Sequence, residues 1–502
     1  MARAPEILED PTPLDATHVD VRVRIAWLLR SWRTHGSDGQ GVSVTDMAGL
    51  LKQQDVPASP PSVSGWETGR VAPGPAVVEA YESVLGLEPG CLRAVVDLVR
   101  RQFGDERPRS PVSALELPDL DLAVDRVVRA SPPRGLDWLH LCEAALAVRP
   151  GLPAALLRPL VAQLLNELTR SGFTPYTTRY EALALLRGSV YGELVADVAA
   201  DFIAEPGNLL LGDAAGVLAE RPDGRAIGTL APYLDSDEFL RLRAAVVGLG
   251  FVASGDGPRP SAWTPVVGPF TRAWARHADD GPRRQQLAEL WPALPSSIRD
   301  EVTERLDTPV DVEPAPLPWE PGGRADQLAI CRHTADRVTR AVGAPAQPLL
   351  ARLLFEALFE ERYARRITSA LLLMASPFRG PLAVEVGLVA RDHDDVRVRR
   401  AAATLLLLIG REESHALAGE LLDSDEPAIV TGALFVLMHS DAPLPTTRVK
   451  ALLRLPEPLD HRAIFYAGMT GHPVLAEVAA NPSDPLRPVA LWWQRHGTRV
   501  DR

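Results

Sequence analysis

A long stretch of helical periodicity constrains this sequence more than any other feature. From about residue 115 to the C-terminus, apolar residues recur every three to four positions in segments of roughly 10–18 residues, separated by clusters of Pro, Gly and Asp. No segment alternates convincingly between apolar and polar residues with the period of two that half-buried strands show. The sequence therefore predicts an all-α protein.

A recurring pattern marks several of these helices. Residues 394–402 are DDVRVRRAA, residues 425–433 are DEPAIVTGA and residues 237–245 are DEFLRLRAA, with a weaker echo at 484–490. In each, acidic residues suit the amide-rich start of a helix, and small residues further along let a neighbouring helix approach. Paired helices repeated in this way form an α-solenoid, and these segments resemble HEAT repeats. The alternative is a helical bundle without repeats.

Proline-rich and polar stretches predict the domain boundaries. Residues 104–114 are polar and contain two prolines, and residues 308–323 contain too many prolines for a regular helix. The sequence thus predicts a compact helical domain at 19–103, a linker at 104–114, a first helical-repeat lobe at 115–307, a proline-rich linker at 308–323 and a second lobe at 324–502.

The charge balance limits how the chain could bind nucleic acid. It has 53 basic and 65 acidic residues, a formal net charge of −12. A protein that coats nucleic acid along its length needs a cation for each phosphate contact, so this chain can bind DNA only through one local patch. Lys52 and Lys450 are the only lysines. The prevalence of arginine, with much Ala, Leu, Val and Pro, is typical of a GC-rich bacterial genome and is weak evidence for nucleic-acid binding.

Cysteine usage and hydropathy predict the compartment. Cys91, Cys142 and Cys331 are few and far apart, with neither a disulfide framework nor zinc-ligand spacing, which fits a reducing environment. Residues 1–20 contain no apolar signal core, and no apolar run approaches the ~18–20 residues that span a bilayer. We expect a cytoplasmic protein that does not enter a membrane.

The N-terminal domain carries the pattern with the clearest functional meaning. Ser43 is suited to cap one helix, and Ser59 to cap a second one that begins with proline. In this second helix Val63 and Trp66 are three residues apart and should face the core. Gly69 should end it in a left-handed turn.

These segments, with the helix that precedes them, resemble the helix-turn-helix of the XRE family, which is related to phage Cro and repressor proteins. The residues that carry the resemblance are Leu29, Arg30, Arg33, Ser43, Ala48, Leu50, Leu51, Val63, Ser64, Trp66, Glu67, Gly69 and Pro73. It implies binding of double-stranded DNA with the second helix in the major groove. It also implies a buried ion pair between Arg30 and Glu67.

The DNA-facing positions depart from the family's pattern. Family members place long amide or cationic side chains early in the second helix, where this chain has Pro60, Pro61 and Gly65, and the preceding loop is longer than usual. We therefore expect affinity to depend on phosphate contacts from arginines and from amides at the helix start, and specificity to depend partly on DNA shape. The candidate DNA-binding residues are Arg22, Arg24, Ser59, Ser62, Ser64, Gly65, Thr68 and Arg70.

Other chemistries have less support. His393 lies among aspartates, but acidic residues are what a helix start needs, and no other histidine has ligand spacing. No nucleophile elbow or dinucleotide-binding loop is present. We expect no enzymatic activity, no metal and no cofactor, and we expect Trp492 and Trp493 to seal the last repeat.

Two functions remain open from the sequence. The first is a homodimeric transcription regulator that binds DNA, with a helical-repeat region that dimerises or senses a small-molecule, peptide or protein effector. The second is a protein-interaction scaffold whose helix-turn-helix no longer binds DNA. The second helix, which lacks long base-reading side chains, and the acidic repeat region support the second, and the helix-turn-helix resemblance supports the first.

Overall fold

The computed structural model describes residues 7–36, 41–104, 117–130, 132–148, 151–254, 257–306, 310, 321–440 and 443–501. Over these ranges the chain forms 27 α-helices and no β-strand, and an isolated bridge joins Ser171 to Val500. The all-α class predicted from the sequence is confirmed. None of the helices in the described ranges is both long enough and apolar enough to cross a bilayer.

The helices are numbered in chain order. Their bounds are α1 (Val21–His35), α2 (Val44–Gln53), α3 (Pro60–Glu67), α4 (Pro75–Val84), α5 (Arg93–Phe103), α6 (Leu117–Arg129), α7 (Gly135–Ala147), α8 (Ala154–Leu168), α9 (Phe173–Arg187), α10 (Gly192–Ala204), α11 (Leu211–Ala219), α12 (Gly224–Leu230), α13 (Phe239–Ser254), α14 (Thr264–Arg276), α15 (Gly281–Leu290), α16 (Ser296–Arg305), α17 (Pro321–Ala341), α18 (Pro348–Phe359), α19 (Tyr363–Met374), α20 (Arg379–Asp392), α21 (Val396–Ile409), α22 (His415–Leu421), α23 (Pro427–Leu437), α24 (Thr446–Leu452), α25 (Leu459–Thr470), α26 (Val474–Ala480) and α27 (Arg487–His496). Short 3₁₀ helices cover Ala231–Asp235, Pro260–Trp263, Trp291–Ala293 and Glu412–Ser414.

The three recurring acidic segments each begin a helix, as predicted: α13, α21 and α23. Asp395 caps α21, because its side chain accepts a hydrogen bond from the amide of Arg397. The small residues in these helices also act as expected. A Cβ atom at Gly432 of α23 would stand only 2.6 Å from the carbonyl oxygen of Ala403 in α21, so glycine is what allows these helices to pack so closely.

Two compact units divide the chain by their internal contacts. The first comprises Met1–Pro111, Trp319–Glu361 and Arg365–Leu444, and the second comprises Val112–Pro318, Arg362–Ala364 and Pro445–Arg502. This division differs from the sequential segments predicted above, because the N-terminal helices join part of the predicted second lobe and the last helices join the predicted first lobe. The predicted linkers at 104–114 and 308–323 lie almost wholly outside the described residues.

Helix α1 explains why the N-terminal helices belong to the first unit. Trp27 is buried and stacks on Phe378 with ring centroids 6.1 Å apart, while its indole nitrogen donates to the Gln347 side chain at 3.1 Å. The indole of Trp32 donates to the carbonyl of Ala375 at 2.6 Å. We call α1–α5 the head. Its first helix is thus covered by residues that follow it by more than 300 positions.

The second unit has a regular packing order. Helix α7 contacts α9, α9 contacts α11, α11 contacts α13 and α13 contacts α15, while α8, α10, α12, α14 and α16 contact one another in the same alternating way. The turn that follows α8 contacts the C-terminal segment, where the Arg170 side chain donates to the carbonyl of Thr498 at 2.6 Å and the Arg170 carbonyl accepts from the amide of Val500 at 2.8 Å. From α7 to α16, each helix therefore contacts the next but one along the chain.

Candidate nucleic-acid interface

The two helices that carry the sequence motif begin at the predicted serine caps. Ser43 caps α2 by accepting from the amide of Asp46, and Ser59 caps α3 by accepting from the amide of Ser62 at 3.3 Å. Pro60 occupies the first turn of α3, where a missing N–H costs little. Gly69 follows α3 with a φ of +75°, the left-handed conformation that glycine adopts without strain.

The inner face of α3 is held by a buried carboxylate. Val63 and Trp66 are buried, as expected, and the Glu67 carboxylate accepts from the Arg33 guanidinium at 2.6 Å and from the Tyr81 hydroxyl at 3.0 Å. Burial and the charge of Glu67 raise the pKa of Tyr81 far above its usual value, so the phenol keeps its proton. The predicted pairing of Arg30 with Glu67 is wrong. Arg33, one turn further along α1, reaches this carboxylate.

Arg24, predicted to contact phosphate, is fully buried. Its Nε donates to Asp10 at 2.8 Å, its Nη2 to Glu356 at 2.8 Å and its Nη1 to Ser369 at 3.1 Å. All of these partners belong to the first unit. Because its donors are directed at these groups and none of its surface is open to solvent, Arg24 cannot contact DNA, and we remove it from the candidate site.

Glu356 is the centre of this buried network. Besides Arg24 it accepts from Arg365 at 2.6 Å and from Arg352 at 3.1 Å. Burial alone would raise the pKa of the Glu356 carboxyl, but the charges and hydrogen bonds of Arg24 and Arg365 outweigh burial and lower the pKa from 4.5 to about 2. We call Asp10, Arg24, Arg352, Glu356, Arg365 and Ser369 the Arg24 cluster. Glu356 therefore stays ionised throughout the neutral and mildly acidic range.

Gly65, predicted to face DNA, does not lie on the outer surface of the head. It is buried, and a Cβ atom at this position would lie 3.3 Å from the side chain of Val71. The turn after α3 brings Val71 back over the helix, with its amide donating to the Gly65 carbonyl at 3.1 Å. Val71 itself is 51% exposed and takes the place on the outer surface that the sequence assigned to Gly65.

The remaining polar residues of α3 are hydrogen-bonded to one another. The hydroxyls of Ser59 and Ser62 lie 2.7 Å apart. Further along, exposed Arg70 donates through Nε to the Thr68 hydroxyl and through Nη2 to the Ser64 hydroxyl, both at 3.0 Å. We call Ser64, Thr68 and Arg70 the Arg70 clamp. The start of α3 offers little to a phosphate, because its two prolines lack N–H groups and Ser59 accepts from the Ser62 amide.

Arg22 is exposed on the first turn of α1, at the junction with the end of α3. A Cβ atom at Gly69 would lie 3.2 Å from the carbonyl carbon of Arg22, so these two backbones are in close contact. Arg22 and Arg70 therefore both lie at the junction between the start of α1 and the end of α3. The structure brings together Arg22, Ser59, Ser62, Ser64, Thr68 and Arg70 around the outer face of α3.

A second candidate site lies within the second unit. A cleft of about 470 Å³ lies between α8 and α10 and is bordered by His496 at the end of α27. His496 is hydrogen-bonded through Nδ1 to the Asn166 amide at 2.8 Å and through Nε2 to Glu205 at 3.1 Å. Arg158 and Asp201 pair at 2.6 Å across it. Its size suits a small molecule, and its lining mixes apolar side chains with the charged and polar ones.

The described residues contain no group of three or more His, Cys, Asp or Glu side chains arranged to hold a metal ion. His393 accepts a hydrogen bond through Nδ1 from the amide of Asp395 just before α21, which is a helix-start interaction. Trp492 and Trp493 are buried and stack edge to face with ring centroids 5.2 Å apart. Both tryptophans contribute to packing.

Comparison with known proteins gives no family. The chain matches no protein-family model. It matches no curated protein. Among solved structures, the crystal structure of an engineered protein from a structural genomics consortium covers 84% of this chain and 98% of its own, with 13% sequence identity and a TM-score of 0.22. A likeness this weak carries no inference about fold or function.

Proposed function

We propose that this chain is a DNA-binding transcription regulator whose head contacts double-stranded DNA through the outer face of α3. One observation carries the proposal. The face of α3 opposite the Glu67 carboxylate is open to solvent and is bordered by two exposed arginines, Arg22 and Arg70. Because the chain as a whole is acidic, a local cationic edge is where an anionic polymer would bind.

The local architecture of α2 and α3 supports the same proposal. Two serine-capped helices, a buried Val63 and Trp66, and a left-handed Gly69 are the local features that the resemblance to the XRE family implies. In helix-turn-helix proteins the second of these helices enters the major groove. Arg22 then faces the phosphate backbone, and the hydroxyl-bearing residues of α3 face the bases.

The rest of the chain fits a helical-repeat region that dimerises or senses an effector. The alternating contacts of α7 to α16 are those of stacked helix pairs, which favours an α-solenoid of HEAT-like repeats over an irregular bundle. The cleft beside His496 is the candidate site for a small polar effector. Two heads on a homodimer would bind the two halves of a palindromic operator.

A salt titration of the full chain on random-sequence duplex DNA tests the DNA-binding proposal. We expect binding at 50 mM salt that weakens steeply with added salt. Arg22→Ala should weaken all duplexes alike and reduce the salt slope by about one unit. Arg305→Ala is the matched control, because it removes another exposed arginine, one in the second unit, and should change nothing. Absence of binding at 50 mM salt would overturn the proposal.

Sedimentation of the full chain tests the dimer separately. We expect a homodimer on operator DNA, since one head with few base contacts binds weakly. A strict monomer both free and on DNA would exclude it.

A protein-interaction scaffold remains the second candidate function. It is favoured by the exposed Val71 beside α3, which offers an apolar contact to a protein partner, and by the prolines that occupy the start of the helix. In that case the head would bind no duplex at any salt concentration.

A further inference from the structure

The geometry of the Arg70 clamp points to a role for Arg70 that differs from a phosphate contact. The guanidinium is fixed along one edge: Nε donates to Thr68 and Nη2 to Ser64, both at 3.0 Å. Thr68 is itself oriented, because its hydroxyl donates to the Ser64 carbonyl at 2.7 Å and so turns a lone pair toward Arg70. The side chain is thus held over the outer face of α3 before any ligand arrives.

The donors that remain free form a second edge. A guanidinium carries five N–H groups in a planar fork. The clamp occupies the edge formed by Nε and one N–H group of Nη2. No described residue of the protein engages the neighbouring edge, formed by Nη1 and the other N–H group of Nη2. Its two parallel N–H groups match the O6 and N7 acceptors that guanine presents in the major groove.

The surroundings of Arg70 leave this edge available. Its partners are neutral hydroxyls, which orient the guanidinium without neutralising it, and the side chain is exposed. The helix itself presents proline at its start and a buried glycine at position 65, so no longer side chain of α3 competes for the same base. Arg70, although it follows the helix, reaches back to Ser64 and so lies over the outer face of α3.

We propose that Arg70 recognises a guanine in the major groove, and that Ser64 and Thr68 are positioning residues that hold its guanidinium for this contact. The inference rests on the proposed DNA binding by the head. It changes what the hydroxyls of α3 do: Ser64 and Thr68 act through Arg70 and do not contact bases directly. An unrestrained arginine would suffice for a phosphate contact, whereas a bidentate base contact gains from a fixed plane.

Selection of duplexes from a random-sequence pool by the full chain tests this proposal. Wild type should enrich a fixed guanine in each half-site. Arg70→Ala and Arg70→Lys should lose the preference for that guanine by about 5- to 150-fold, the usual worth of a bidentate contact, because lysine cannot form the fork. Ser64→Ala with Thr68→Ala should lose part of it. Arg22→Ala, the matched control, should weaken all duplexes while keeping the guanine.

Atomic substitution in the DNA separates the possible outcomes. Replacing the selected guanine by 7-deazaguanine removes the N7 acceptor, which should weaken wild type and leave Arg70→Ala unaffected. If Arg70→Ala weakens selected and scrambled duplexes equally and the guanine persists, Arg70 is a phosphate contact and the inference fails while DNA binding stands. If wild type binds no duplex of the pool at 50 mM salt, the proposed function itself fails, and the inference fails with it.

Discussion

Arg24 on α1 and Arg70 just after α3 belong to the same head, and their guanidinium groups have opposite surroundings. Arg24 is completely buried and donates to two carboxylates and a hydroxyl. Arg70 is exposed and donates only to two hydroxyls. A guanidinium paired with carboxylates inside the protein stabilises the fold, whereas one oriented by neutral groups keeps its charge for a ligand. The head therefore has one buried arginine that stabilises the fold and one exposed arginine that we propose binds DNA.

The largest effect on stability should come from deleting all residues outside the head, which removes the partners of Arg24 and Trp27. We expect a fragment of residues 1–105 to lack a cooperative unfolding transition, because Arg24 loses Glu356 and Ser369 and the face of α1 around Trp27 loses its cover. Near-ultraviolet circular dichroism during heating measures this, with the full chain as the reference. A sharp melting transition in the fragment would mean that the head folds without the Arg24 cluster.

A single substitution in the full chain tests whether the buried Glu356 carboxylate stabilises the fold. Glu356→Ala should lower the free energy of unfolding by about 3–5 kcal/mol, because it leaves the buried guanidinium groups of Arg24 and Arg365 without their shared carboxylate. Urea denaturation measures the change. Asp392→Ala, which removes an exposed carboxylate paired with Arg391, should leave the midpoint unchanged. Equal effects of the two substitutions would contradict the distinction between buried and exposed pairs.

The core of α3 provides a second buried pair. Arg33→Ala should destabilise the chain by about 3 kcal/mol, since the Glu67 carboxylate keeps only the Tyr81 hydroxyl. Arg30→Ala leaves the contacts of Glu67 intact and should cost clearly less. Thermal melting of the two variants side by side decides between them, and the reverse order would restore Arg30 as the partner of Glu67.

Acid should reduce the stability that the Arg24 cluster gives to the fold. The pKa of Glu356 is lowered on folding from 4.5 to about 2, so its contribution to stability is complete above pH 4.5 and is lost as the pH falls toward 2. From pH 6 to pH 3 we expect a loss of about 2 kcal/mol from this group. The measurement is the difference in unfolding free energy between wild type and Glu356→Gln at each pH. A difference that does not shrink as the pH falls would show that Glu356 is not the group that titrates.

On the exposed side the effects on stability should be small. Ser59→Ala removes the cap of α3 and should cost about 1 kcal/mol. Ser64→Ala is its control within the same helix, because its hydroxyl orients only the exposed Arg70 and should leave the melting temperature unchanged. A loss of stability in Ser64→Ala as large as in Ser59→Ala would mean that the Arg70 clamp supports the fold itself.

Local physics explains which features of the head could be predicted. Serine caps, the buried pair Val63 and Trp66 and the left-handed Gly69 depend on residues a few positions apart, and all are observed. The burial of Gly65 was missed because it depends on how the turn places Val71. No local pattern signals the pairing of Arg24 with Glu356, 332 residues away. A buried arginine and a DNA-binding arginine look alike until the long-range contacts are known.

Over the whole chain, too, features that depend on neighbouring residues could be predicted and features that depend on long-range contacts could not. Three features follow from periodicity and residue size: the helix starts at the recurring acidic segments, the close approach at Gly432 and the absence of strands over the described residues. The two contact units do not follow chain order, because α1 packs on helices that come far later and Arg170 meets the C-terminal segment. Segment boundaries predicted from prolines cannot reveal contacts between helices that are far apart in the sequence.

The separation of Arg24 from Glu356 has a consequence for the newly made protein. The chain must grow by 332 further residues before Glu356 exists, which at about 5–20 residues per second takes roughly 17–66 s. During that interval the Arg24 side chain and the indole rings of Trp27 and Trp32 on α1 lack the later residues that contact them in the folded protein. An incomplete polypeptide therefore cannot complete the fold of its head, and we expect truncated translation products to be targets for chaperones and proteases.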